Sequence, residues 1–461
     1  MPSGYCDVLI GLQYGDEGKA KIIDTIAPNY EIVARFNGGV NAGHTVVTDR
    51  GVLALRQIPS AVEYPNTTLY IGSGCVVSAD SLVNEINTIK ASGYTLDDRL
   101  VISPHATLVL PHHVVLDRLF GDEIGTTGNG IGPAYGDRAY RFIHGLVCNV
   151  RMIDIIDSPK AVTKLARQHL ERIKGEAGEF YSAGKILLEG LEENFSILRQ
   201  YVAPSSNYLV ERVIGGDRVL FEGAQSYMLD VVHGDVPYVT SSGTSVSSAY
   251  AGGDVPPAFH RHAFGIIKLI MSRVGRGPFP SELGGPTSYD YCTKNSGKDH
   301  TRDFEKSHYD PDYLVATGDP LDLGKALRMY SGEYGTGSGR PRRIGMLDLA
   351  QLKAAVLANG IDSLFLTKCD CLVDFYKTPG KKIPVVTHYD QSGEPVIKEY
   401  PAFELALDTL QNYQDFPDGL KSLVEDIEKI AQTQVVGLGV GPHRDQLVMK
   451  EAPSNWPMSP G

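Results

Sequence analysis

Apolar residues fall along this chain in two rhythms. Short apolar runs, DVLI at 7–10, EIVARF at 31–36, VLFEGAQ at 219–225, GIIKLIM at 265–271 and SLFL at 363–366, predict strands, of which DVLI and GIIKLIM read as buried, since a strand covered by helices needs no polar side. Elsewhere apolar residues recur at three and four spacing. This pattern predicts helices over 18–27 and 81–92, and two amphipathic packing helices within 158–202 (AVTKLARQHLERIKG, then AGKILLEGLEENFSILRQYV). Short β-rich segments between 46 and 103 (VVT, LALRQIP, TLYIGSG) are expected to extend the sheet. Strands alternating with helices, without internal repeats, predict an α/β fold. Its large, mostly parallel central sheet would have flanking helices, with a phosphate-loop-like nucleotide site at strand C-terminal ends. Residues 1–461 are expected to form a single domain. From about 284 to 332 the chain turns polar, mixed in charge and poor in aliphatics, which predicts an insertion lying on the surface.

Glycine follows the strands. In GLQYGDEGKAK at 11–21, Gly15 and Gly18 would let backbone N–H groups meet a phosphate at the positive end of the next helix, and Lys19 adds a point charge. The ordinary phosphate-loop motif places Ser or Thr after its lysine to hold magnesium, and here Ala20 stands instead; a metal must be held by something else, with Asp16 the nearest candidate. A turn that merely joins strand to helix is the alternative. NGGVNAGHT at 37–45 offers Gly38, Gly39 and Gly43 for close approach, and His44 is its one side chain that titrates near neutrality, though a lone histidine is often a satisfied core residue. GTTGNGIGP at 125–133 sets hydroxyls like phosphate or ribose ligands, with Arg138 and Arg141 behind them, or else is a solvated loop with surface arginines. YVTSSGTSVSS at 238–248 is rich in hydroxyls, and GRPRR at 339–343 holds three arginines suited to bidentate recognition of carboxylate or phosphate. TKCD at 367–370 ends the SLFL strand. The Asp370 carboxylate there can accept from the ring N–H and exocyclic amine of guanine, a donor pair that adenine lacks; a simple turn is the other reading. GLGVGP at 437–442 is a last glycine loop.

Composition narrows the partners. Fifty glycines in 461 residues exceed the usual share of about 7%, which fits many tight loops. The net charge of −12, without a basic run, argues against nucleic acid, so an anionic ligand needs a local pocket. No basic stretch with an apolar run behind it opens the chain, and no segment has the roughly 18 apolar residues of a membrane span, so a cytoplasmic protein is expected. Six scattered cysteines fit reduced thiols; Cys369-Asp370-Cys371 is too tight for zinc.

GDEGKAK, NAGHT, GTTGNGIGPAY, FEGAQ, PYVTSS, GPFPSEL, GRPRR and TKCD, in that order between residue 7 and about 450, resemble the motifs of the adenylosuccinate synthetase family. The resemblance implies a homodimeric ligase that couples inosine monophosphate (IMP) to L-aspartate with GTP and Mg2+, giving adenylosuccinate, GDP and phosphate through a 6-phosphoryl purine. It implies Asp16 as general base and magnesium ligand, His44 as general acid, Lys19 and Gln225 as further catalytic residues, and the Gly43 carbonyl on the metal. GTP would meet Gly15, Glu17, Gly18, Lys19, Ala20, Lys21, Gly43, His44, Thr45, Arg342, Lys368, Cys369, Asp370, Gly439, Val440 and Gly441. IMP would meet Asp16, Asn41, Ala42, Gly43, His44, Thr127, Gln225, Thr240 and Arg340, with Arg141 supplied by the other subunit. Aspartate would meet Thr336, Gly337, Ser338, Gly339, Arg340 and Arg342.

Four features depart from the family pattern. Ala20 replaces a glycine, Gly337-Ser338 stands where Thr-Thr is usual, Asn129 where bacterial members often carry arginine, and the segment before the aspartate loop is long. Two other functions fit parts of the pattern: the same chemistry on a guanine nucleotide acceptor, and a GTP-dependent switch or binding module. Relatives of the first kind lack the loop aspartate that Asp16 retains; the second needs neither a second nucleotide pocket nor a histidine loop.

Overall fold

In the parallel strands every other residue points to the same face, and the cores divide accordingly. Val8, Ile10, Ala34, Phe221 and Leu364 pack on one side of the sheet, and Leu9, Val33, Leu220, Phe264 and Phe365 on the other. The structure, a computed structural model, describes residues 4–450 apart from 49, 122, 123, 144, 336–338, 408 and 409. From edge to edge the nine-stranded sheet runs Leu447–Met449, Gln434–Gly439, Ser363–Thr367, His260–Lys268, Tyr5–Gly11, Arg218–Ser226, Ile32–Arg35, Thr68–Ile71 and Leu100–Ile102. All neighbours are parallel except the first pair. The chain therefore leaves the central strands in one direction, and the loops beginning near residues 12, 36, 227, 269, 368 and 440 gather along one rim, where α/β sheets bind ligands.

Several elements differ from the sequence expectation. The VVT and LAL segments do not extend the sheet; they pair with each other as the hairpin His44–Thr48 and Gly51–Leu55, which puts His44 at a strand start rather than in a loop. TLYI does join the sheet. The second of the two helices expected in 158–202 breaks at Gly190 into Tyr181–Glu189 and Leu191–Leu198. The supposed glycine loop at 437–442 begins as the strand Gln434–Gly439; a side chain at Gly437 would lie 2.9 Å from the Phe365 ring, so glycine there makes room for core packing.

The polar stretch 284–332 folds into packed helices. It forms the helices Gly285–Thr293, Arg302–His308, Pro311–Ala316 and Pro320–Ser331. Leu327 reaches the main core, Leu314, Val315 and Ala326 make a small core of their own, and Arg328 is buried against Glu305. Its aliphatic poverty is offset by buried ion pairing.

Candidate active site

The strand Tyr5–Gly11 delivers the first glycine loop at the centre of the rim. Gly18 caps the helix Lys19–Ile26 at φ 80°, a conformation glycine adopts freely, so the first helical N–H groups have no side-chain cap and remain for a ligand. Glu17 is fully buried; it accepts from the Gly15 N–H (2.8 Å), Lys19 Nζ (2.7 Å) and Ser226 Oγ (2.6 Å). Burial opposes its ionisation, but Lys19 and Lys268 outweigh this and hold its carboxyl below the usual range. Lys21 takes no phosphate-facing place in this arrangement: its Nζ donates to the carbonyls of Gly441 (2.6 Å) and Gln446 (2.7 Å), tying the helix to the turn that follows Gly439. Ala20 is buried in the core below the loop.

His44 and Glu222 form a buried pair through Nδ1. The Glu222 carboxylate also accepts the Ser60 N–H (2.8 Å) and Ser60 hydroxyl (2.7 Å). Burial holds His44 below the usual imidazole range against the pull of Glu222. Glu222, although buried, is held low by His44 and its hydrogen bonds. An ionised Glu222 fixes the proton on Nδ1 and leaves Nε2 to meet a ligand. Next to this pair, Asn37 exchanges hydrogen bonds with Ala224 (2.8 and 3.1 Å) and reaches the Ser242 hydroxyl (3.3 Å), so the 37–43, 223–225 and 238–248 segments are locked together. Asn41 accepts from the Gly39 N–H (3.0 Å), and Ala42 N–H donates to the Gly39 carbonyl. Gly43 has open space at its Cβ position, and Thr45 stands exposed on the hairpin. Gln225 Oε1 is buried and, among the described residues, has no hydrogen-bond partner, which leaves an acceptor inside the site.

Thr127 is exposed, and Thr240 is half-buried on the neighbouring loop, its N–H bonded to the Leu229 carbonyl. Arg141 ends the helix Ile131–Tyr140 at φ 65°. Its side chain is exposed and, among the described residues, makes no hydrogen bond or ion pair within this chain.

On the other side lies a buried ionic hub. Glu333 contacts Lys268, Lys368 and Arg342 (2.6 Å), and accepts from Ser272 (2.7 Å). Its carboxyl, despite burial, is held well below the usual range by Lys268, Lys368 and Arg342. Arg342 extends to Asp16 at 2.7 Å, so the loop aspartate is paired. The Thr367 hydroxyl donates to the Glu17 carbonyl (2.6 Å) and the Cys369 N–H to the Gly439 carbonyl (3.1 Å). Hence the 368–370 turn, Gly439–Gly441 with Val440 between, and the first glycine loop are brought together. Burial raises the Asp370 carboxyl, with Lys21 and Lys368 opposing. Gly339 and Arg340 fold back on Gly335 through backbone hydrogen bonds, while Thr336, Gly337 and Ser338 lie outside the described residues. Asp16, Gln225, Lys368 and Arg141 all have φ between 56° and 65°, a region costing a non-glycine residue of order 1–3 kcal/mol and concentrated at functional sites.

A model of the adenylosuccinate synthetase family matches residues 8–448. The chain belongs to that family. It is 43% identical over 446 residues, 96% of this chain and 97% of the relative, to adenylosuccinate synthetase 2 of Cupriavidus pinatubonensis, and 35% identical to the adenylosuccinate synthetase of Caldicellulosiruptor bescii, over 96% and 99% of the two chains. The fully ligated adenylosuccinate synthetase of Plasmodium falciparum superposes with a TM-score of 0.78 at 28% identity, covering 96% of this chain and 99% of that one. A cyanophage succinoaminodeoxyadenylate synthetase shares the fold at TM-score 0.60 and 19% identity, over 97% and 96% of the chains. Adenylosuccinate synthetases are GTP-binding, Mg2+-dependent ligases of purine biosynthesis.

Sequence reasoning passed over four residues of this adenylosuccinate synthetase site: Glu222, Lys268, Ser272 and Glu333. Glu222 and Lys268 did carry a signal, a charge inside an apolar strand (VLFEGAQ, GIIKLIM), which must find a partner when buried. Glu333 follows a polar stretch and carried none.

Proposed function

We propose that the chain joins IMP to L-aspartate with GTP, releasing adenylosuccinate, GDP and phosphate. The observation that carries this reading is the convergence on one rim of the Asp16 loop, the His44–Glu222 pair and the 368–370 turn against Gly439. Asp16 takes the N1 proton of IMP, and the 6-oxygen attacks the γ-phosphorus as the bond to GDP breaks. The aspartate amine then adds at C6, and phosphate leaves with the former 6-oxygen. Lys19 and the bare N–H groups behind Gly18 receive the phosphates. Their negative charge raises the proton affinity of His44, so Nε2 meets the transferring group as a donor; donors of this kind are worth roughly 3–4 kcal/mol each.

Gln225 Oε1 accepts from the purine; Thr127, Thr240, Arg340 and the partner's Arg141 hold the IMP phosphate and ribose. Gly339, Arg340 and Arg342 contact aspartate, with their neighbours 336–338 outside the described residues, and Lys368, Asp370 and Gly439–Gly441 hold guanine. Asp16 and the Gly43 carbonyl, both hard oxygen donors, suit Mg2+, which would neutralise phosphate charge. Lys21 supports the guanine turn from beneath instead of touching phosphate. The reading treats residues 284–332 as part of one domain and the protein as a homodimer. Six unpaired cysteines fit the reducing cytoplasm.

The test is phosphate release from GTP, expected only when IMP and aspartate are both present. Release with GTP alone would favour a switch, and release with GMP in place of IMP the other acceptor.

A further inference from the structure

Away from the rim, three helices meet at a group of histidines that the reaction does not use. His112 and His113 lie on Pro111–Phe120, Asp137 on Ile131–Tyr140 and His169 on Pro159–Arg172. Asp137 Oδ2 accepts from His112 Nε2 (3.1 Å) and His113 Nε2 (3.0 Å). The Leu110 N–H donates to His113 Nδ1 (2.9 Å), which satisfies that ring at both nitrogens. His169 Nε2 donates to the Val147 carbonyl (2.9 Å). With Nε2 carrying the proton in each case, His112 and His169 both keep a bare Nδ1 lone pair. His112 Nδ1 is buried and, among the described residues, has no partner. A buried imidazole nitrogen without a partner is costly unless something occupies it.

We propose that His112, Asp137 and His169 form a binding site for a borderline transition-metal dication of the Zn2+ or Co2+ class. One ligand atom from each of the three lies within 4.8 Å of the others, so an ion among them would replace the His112–Asp137 hydrogen bond as the His112 ring turns to it. Two imidazoles and a carboxylate suit such ions and do not suit Mg2+, which prefers oxygen, so this site is separate from the one at Asp16. Ligand nitrogens around tetrahedral Zn2+ stand about 3.3 Å apart, so binding would draw the three helices together and tilt the His112 and His169 rings, now stacked at 4.5 Å, out of parallel. The helix Ile131–Tyr140 leads from the 125–130 loop to Arg141, and closure would stiffen that connection.

The test uses nucleotide-free protein in excess Mg2+, titrated with Co2+ and followed by its ligand-field absorption. One Co2+ per chain is expected. Affinity should fall more than about tenfold in His112→Ala, His169→Ala and Asp137→Asn, since even outer-shell partners of a metal are worth that much. His388→Ala, an exposed histidine on Lys382–Tyr389, should bind as the unmodified protein does. X-ray absorption of the unmodified protein with Co2+ bound should count two imidazole nitrogens, a readout independent of whether the variants fold. No binding, equal binding in all variants, or an all-oxygen shell would each overturn the proposal.

Discussion

Glu222 shows how one buried charge can set the chemistry of another. Its carboxylate is the group that raises the proton affinity of His44 against burial. Glu222→Gln removes that charge, so His44 should hold its proton still less readily, and the pH profile of kcat should move to lower pH. We expect kcat to fall by at least about tenfold at neutral pH, within the range assigned to positioned acids and bases, with KM for GTP changed less. An unchanged profile would show that His44 does not depend on its partner. Asp16, His44 and Asp370 were legible in the sequence because each stands beside glycines or ends a strand. The charge of Glu222 inside an apolar strand signalled a buried partner, but not which one, because that partner is 178 positions away and only the sheet brings them together. Lys268 and Gln13, 255 positions apart, are the same case.

At the scale of elements, apolar runs identified the central strands because parallel strands covered on both faces cannot hide their composition. Hairpin and sheet membership were misjudged because VVT and LAL have the same local pattern as a sheet strand, and only pairing tells them apart. In 284–332 the helices announce themselves by caps rather than by apolar spacing: Asp310-Pro311 and Asp319-Pro320 place an N-cap aspartate before a proline, and both side chains accept backbone N–H groups. This element's energetics turn on Arg328, which donates to Glu305 and to the Arg342 carbonyl (3.0 Å), while Tyr334 also donates to Glu305. Arg328→Met leaves Glu305 buried and unpaired, so urea melts should show a loss of about 3–5 kcal/mol. Because Arg342 loses a backbone restraint, KM for aspartate should rise more than KM for either nucleotide. Adding Glu305→Leu should recover part of the stability, and no recovery would show that the ion pair is not what holds the segment.

For the molecule as a whole, acid should act early. An imidazole in the unfolded chain titrates near about 6.5, whereas His112 in the fold titrates at about 3. As pH falls below about 6.5 the unfolded chain takes up a proton that the fold refuses, so stability drops, at up to about 1.4 kcal/mol per pH unit, and levels off below about 3. His44 and His113, also lowered by burial, act in the same sense. Asp137 is held below the usual carboxylate range, mainly by His112 and His113 working against burial, so its own contribution is lost only below about pH 4. Urea melts between pH 7 and about 4 should give a shallower slope for His112→Asn than for the unmodified chain. Shared sites supply a second whole-molecule test. Arg141→Leu and Asp16→Asn proteins should each be inactive, yet after subunit exchange half the dimers are mixed and each has one intact site of two. Activity should return to about a quarter of the unmodified level, and a mixture that exchanges but stays inactive would refute a site completed by the partner.

The ion pair between Asp16 and Arg342 also bears on when the reaction can begin. The proposed general base is engaged by an arginine of the proposed aspartate-binding segment. If Asp16 is the base proposed above, it can take the N1 proton of IMP only once this pair opens, which ties the first step to the arrival of whatever engages Arg342. Arg342→Leu should free Asp16 but also remove a proposed contact to GTP and aspartate, so the KM for both should rise in steady-state assays while Asp16 loses its partner.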